Sequence, residues 1–118
     1  MWDQLSLNFL QQYFQTLNAA LAQYDLPAVS SVGNIGEPIF TDIHDVKSDT
    51  GGFIVRFKVL FPDDENNLPL SEGEIPLRFQ KDGTLYDGAS IKKEHKGRLY
   101  EGIIHATEHQ WHIEWEKE

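Results

Sequence analysis

"FIVRFKVLF", Phe53 to Phe61, places Phe53, Val55, Phe57, Val59 and Phe61 on one face and Arg56 and Lys58 on the other. A period of two over nine residues is the signature of a β-strand with one face in a core and one in water. Upstream, "KSDTGG" reads as a turn, and "PIFTDIHDV" (about 38–46) reads as a partner strand. Downstream, "EIPLRFQ" alternates Ile75, Leu77 and Phe79. Pro76 has no N–H to give to a ladder, which places that strand at an edge.

"KDGT" then signals a hairpin. A two-residue turn at Asp82-Gly83 sets Phe79 opposite Tyr86. A three-residue loop with a glycine bulge sets Phe79 opposite Leu85. The register decides which side chains of "TLYDGASIKK" face inward, and both stay open at this point. "RLYEGIIHA" and "WHIEWE" supply a last pair, with Trp111, Ile113 and Trp115 on one face and His112, Glu114 and Glu116 on the other.

Before the strands, Trp2, Leu5, Phe9, Tyr13, Leu17, Ala20 and Tyr24 recur at spacings of three and four, and Leu10, Phe14 and Leu21 widen the stripe. That period predicts a helix from Trp2 to about Tyr24 with a broad buried face, stopped at Leu26-Pro27. Its other face carries Gln4, Asn8, Gln11, Gln12, Gln15 and Asn18. Uncharged amides suit a face covered in part by the chain itself or by a partner. "PAVSSVGNIGEP" (27–38) reads as an irregular connector.

The order is one long helix followed by five or six strands on mostly short links, which implies antiparallel pairing. The expected fold is one α+β domain over residues 1–118, with the helix packed on a single curved antiparallel sheet. In outline this resembles the helix-on-sheet plan of cystatin-like folds.

The 118 residues include 40% apolar side chains, enough for one core, and no cysteine, which excludes disulfides and thiolate metal sites. The N-terminal stretch has no basic start and no unbroken apolar run, and no window reaches the roughly 18 apolar residues of a membrane span. A cytoplasmic protein is the expectation. The net charge of −9 opposes contact with nucleic acid and with anionic membranes. The charge is uneven: residues 1–72 hold ten acids against three cations, and residues 73–118 hold nine against seven.

"FPDDENNLPLSEGE" (61–74) contains five carboxylates and no Lys or Arg. Asp63, Glu65, Asn67, Ser71 and Glu74 fall at ligand positions of an EF-hand, but Leu68 stands where that loop needs glycine, and strands replace the flanking helices. A solvated loop that blunts a sheet edge is the plain reading. The sharper one is a contact surface, with Leu68 and Leu70 as apolar anchors inside a rim of Asp63, Asp64, Glu65, Glu72 and Glu74. If the turns at Asp42–Asp49 share its side, they add negative potential that steers a basic partner.

Other constellations are weaker. His105, His109 and His112 lie near Glu108 and Glu114, but across a turn rather than on a helix. Asp42 and His44 alternate to one face as an acid-oriented base, with no nucleophile recognisable beside them. "KKEHKGR" (92–98) is a basic turn that suits pairing with nearby acids. No metal, cofactor or catalytic group is expected.

The expected function is a small acidic cytosolic inhibitor that binds a basic protein, of the immunity type found in bacteria, with a nuclease toxin as the model partner. Its rivals are a small-ligand site or enzyme with a pocket between helix and sheet, lined by His44, His105, Tyr86 or Tyr100, and a structural homo-oligomer.

Overall fold

The computed structural model describes residues 2–33, 36–62 and 70–116, with residues 2–7 and 70 described by their backbone alone. Helix α1 spans Trp2–Gln23, and seven strands follow: β1 Ala28–Val29, β2 Ile39–Asp49, β3 Gly52–Pro62, β4 Leu70–Gln80, β5 Ser90–His95, β6 Arg98–Ala106 and β7 Gln110–Trp115. They form two sheets, one ordered β1-β7-β6-β5 and the other β2-β3-β4. The architecture is α+β, with seven strands in two sheets in place of five or six in one.

The helix ends through hydrogen bonding as well as through Pro27. Asp25 takes a left-handed φ of 56°, Leu26 N–H donates to the Leu21 carbonyl at 3.0 Å and Asp25 N–H to that of Ala22 at 3.2 Å. These two bonds make a Schellman motif, with buried Leu21 and Leu26 as its apolar contact. Asn18, on the amide face, then clasps β1. Its Oδ1 accepts from Val29 N–H at 2.8 Å and its amide donates to the Val29 carbonyl at 3.3 Å. The neighbouring Asn8, Gln11, Gln12 and Gln15 are exposed.

The connector carries more structure than its composition implies. Ala28 and Val29 pair in parallel with Gln110 and Trp111. Farther along, Phe40 N–H donates to the Val32 carbonyl at 3.1 Å, so the same connector reaches β2. A two-residue strand has no period to read, so the sequence pattern could not reveal it.

The break between the sheets lies in "TLYDGASIKK". The glycine-bulge register is the one formed: Phe79 bridges Leu85, Gly83 N–H donates to the Gln80 carbonyl at 2.9 Å and Gln80 N–H to that of Thr84 at 2.7 Å. Gly83 has φ of +91°, a conformation that L side chains avoid. After one bridge the chain turns again at Tyr86–Ala89, where Asp87 Oδ1 accepts from Ala106 N–H at 3.0 Å. Residues 84–89 therefore leave β4, and β5 begins only at Ser90 as the edge of the other sheet.

Between the sheets the core is aromatic. Trp111 of β7 lies 5.8 Å from Phe40 of β2, 5.5 Å from Phe57 of β3 and 6.4 Å from Phe79 of β4. Its Nε1–H donates to the Pro27 carbonyl at 3.1 Å, so a buried polar group is satisfied. Val55, Val59, Phe61, Ile75 and Leu77 complete the inner face of the three-stranded sheet, as their alternation predicts. Helix α1 packs on β1 and β2 through Leu17 and Leu21. β4 is the edge that Pro76 foretold. Among the described residues no helix is long and apolar enough to cross a membrane.

Trp111→Ala removes a 1% exposed indole and should lower unfolding free energy by roughly 3–5 kcal/mol in a denaturant titration. A loss under about 1 kcal/mol would mean that the sheets are held elsewhere. Two turn aspartates add an acid dependence. Asp49 is held below its ordinary value of 3.8 by the Thr50 N–H first and by Arg78 second. Asp82 is held below the same value by the Thr84 hydroxyl and then its N–H. A lowered folded-state value means that their stabilisation is complete above 3.8 and is lost as pH falls below it. The Asp49→Asn, Asp82→Asn double variant should show a shallower acid decline in stability than the parent.

Candidate protein-binding surface

Of the acidic stretch, Asp63, Asp64, Glu65 and Leu68 lie outside the described residues. Leu70 opens β4, and its side chain is likewise not described. Glu72 is exposed and Glu74 half-buried on the outer face of β4. What the structure defines is the base from which the stretch leaves. Pro62 and Leu70 pair as the last rung of the β3–β4 ladder. The buried Tyr100 hydroxyl donates to the Pro62 carbonyl at 3.1 Å. Ser71 Oγ lies 2.7 Å from His95 Nε2, and the His95 ring stacks on Phe61 with centroids 4.0 Å apart. Gly73 makes room for this stack, since a Cβ there would fall 2.6 Å from Phe61 Cε2 and 3.1 Å from His95 Nδ1. Both ends of the acidic stretch are thus tied to the β5–β6 hairpin of the other sheet.

These ties join residues far apart in sequence, and no local pattern announces them. His95 lies within the basic turn "KKEHKGR", so the structure brings that turn beside the base of the acidic stretch. The helix also reaches this end. Burial and then the Glu72 carboxylate raise the Tyr13 hydroxyl above its ordinary value of 10.0.

The acids at Asp42–Asp49 behave differently from the expectation of a shared negative patch. On the outer face of the three-stranded sheet, Lys58 of β3 lies between Asp42 of β2 and Glu74 of β4. Asp45 pairs in register with Arg56 and has Lys47 Nζ at 3.9 Å, and Asp49 pairs with Arg78. Carboxylates and cations alternate across this face, so its field largely cancels within a Debye length.

His44 is also placed differently. β2 carries register shifts between Phe40 and Asp42 and between Ile43 and Asp45, so His44 is the bulged residue and has no ladder partner on β3. His44 Nε2 instead meets Glu74 Oε1 at 3.1 Å, and Asp42 Oδ1 accepts from Ile43 N–H.

The three clustered histidines separate into a pair and an outlier. His105 and His112 are cross-strand partners, stacked at 5.1 Å and 17°. His105 Nε2 bonds Glu114 at 2.8 Å, and His112 Nδ1 lies 3.2 Å from Ser30 Oγ. Nitrogen lone pairs lie in the ring plane, so those of stacked rings run side by side and do not converge on one ion. His109, at the exposed turn, is 3.9 Å from Glu108. Among the described residues no group of three or more His, Asp or Glu is placed to hold a metal.

Three hollows are defined by the described residues. A cavity beside Trp111 and Phe40 measures about 10 Å³, too small for a ligand. Clefts of about 300 Å³ lie elsewhere. One is at the Asp25–Asp82–Glu108 end, and the other is between β4 and β5 over Leu77, Ile91 and Ile104 with Tyr86 at its side. Tyr100, expected as a pocket-lining group, is buried against Phe61.

Comparison with protein-family models, with curated proteins and with solved structures finds no match. The reading of this chain therefore rests on its own residues.

Because the Glu72 charge is the second cause of the raised Tyr13 value, Glu72→Gln should lower the alkaline midpoint of Tyr13 but leave it above 10.0, with burial still acting. Carbon-13 tyrosine NMR follows this residue by residue. An unmoved Tyr13 midpoint would separate the helix from the start of β4.

Proposed function

We propose that this chain is a small acidic inhibitor of the cytosol that binds a basic protein partner, of the immunity type, with a nuclease-like toxin as the model target. The observation that carries this reading is the anchored base of the acidic stretch. Tyr100 on Pro62, His95 on Ser71 and His44 on Glu74 fasten its two ends at 2.7–3.1 Å. Anionic groups carried on a fastened base lose less conformational freedom on docking, which raises affinity for a given set of contacts. Asp63, Asp64, Glu65, Glu72 and Glu74 then stand in for substrate phosphates and occlude a cationic site, and Leu68 and Leu70 supply apolar contact. The net charge of −9 accelerates encounter with such a partner.

A small-ligand protein is the second reading, favoured by the cleft over Leu77, Ile91 and Ile104. A ligand site normally adds converging polar groups. Here Arg78 is engaged by Asp49, which leaves the cleft with less to orient a ligand.

The test is capture from the source cells by the immobilised chain, followed by kinetics with the protein retained. A basic protein should be held by the parent and should associate at least tenfold more slowly with the Asp63→Lys, Asp64→Lys, Glu65→Lys triple variant, with a flatter salt dependence. Equal association rates for parent and variant would remove the proposal.

A further inference from the structure

We propose that the outward face of the four-stranded sheet is the main docking surface for that partner, and that it takes a cationic protein surface with an apolar centre. This rests on the basic-partner reading and adds a contact face to it.

The face is set by the ladder. On β6, Tyr100, Gly102 and Ile104 point inward, so Leu99, Glu101, Ile103 and His105 point outward. Leu99 is 44% exposed and Ile103 38%, two of the four large hydrophobic side chains exposed among the described residues. They stand on the same strand with only Glu101 between them on that face, as the apolar centre of an open sheet surface. Burying them against a partner favours binding by about 25 cal/mol per Å² of apolar area.

The rim is anionic. Glu94 lies across from Leu99, Lys92 across from Glu101, and Ile103 between Ser90 and Glu114. Glu116 N–H donates to the Glu101 carbonyl at 2.9 Å, which adds a further carboxylate beside Glu101. Among the described residues, Glu94, Glu101, Glu114 and Glu116 stand around the two apolar side chains, against Lys92 opposite Glu101 and His105 bonded to Glu114. The outer face of the other sheet lacks this character, because its acids alternate with Lys58, Arg56 and Arg78.

Charge selects the occupant. A second copy of the chain would set glutamates against glutamates, and an anionic lipid or a nucleic acid would be repelled in the same way. A ring of lysine or arginine around an apolar centre complements the face. Tyr100 and His95 of the same β5–β6 hairpin hold Pro62 and Ser71, the described residues nearest the acidic stretch.

The test titrates nitrogen-15-labelled chain with a synthetic amphipathic helix of leucine and lysine, at low and at physiological salt. Amide shifts should concentrate at Leu99, Glu101, Ile103 and Glu114 and weaken with salt. The Leu99→Ser, Ile103→Ser double variant, at exposed positions, should keep its melting temperature and bind at least tenfold more weakly. The Asp63→Lys, Asp64→Lys, Glu65→Lys variant should bind this peptide within about threefold of the parent, which separates this face from the acidic stretch. Shifts that map to β2–β4 or to the helix, absence of binding, or undiminished binding by the serine variant would each overturn the assignment.

Discussion

The indole of Trp111 meets an aromatic ring from each strand of the opposing sheet, Phe40, Phe57 and Phe79, while its N–H is bonded to Pro27. No other described side chain is placed to do this. Among the described residues, the backbone links from the three-stranded sheet run to connecting segments, from Phe79 to Leu85 at β4 and from Phe40 to Val32 at β2. This aromatic cluster joins the two sheets by side-chain packing, together with the Tyr100–Pro62 and His95–Ser71 hydrogen bonds. The cavity beside Trp111 and Phe40 measures about 10 Å³.

The two outer sheet faces differ in kind. One presents alternating charges that neutralise one another, and the other presents Leu99 and Ile103 among four glutamates, with Lys92 and His105 beside them. The acidic stretch leaves the molecule at the end where these two sheets are tied by Tyr100 and His95.

Much of the fold was legible in the sequence. The strand at Phe53–Phe61, the edge position of the Pro76 strand, the buried tryptophans and the helix ending at Leu26 all follow from period and from proline chemistry. The division into two sheets was not legible, because the turn that makes it, Tyr86–Ala89, is held by bonds to Ile104 and Ala106, distant in the chain. The site was harder. In "RLYEGIIHA" both parities carry large apolar residues, Leu99 and Ile103 on one and Tyr100 and Ile104 on the other, so alternation alone cannot say which faces water. The partner of His44 was likewise not legible, since Glu74 reaches it from β4, far along the chain.

The most direct measurement of the central claim is hydrogen exchange at the Trp111 indole N–H, followed by NMR under native conditions. If this residue locks the sheets together, its exchange requires global unfolding, and its opening free energy equals that from denaturant titration. An opening free energy lower by more than about 2 kcal/mol would show that the sheets part locally while the rest of the chain stays folded, and the interior could then no longer be treated as closed.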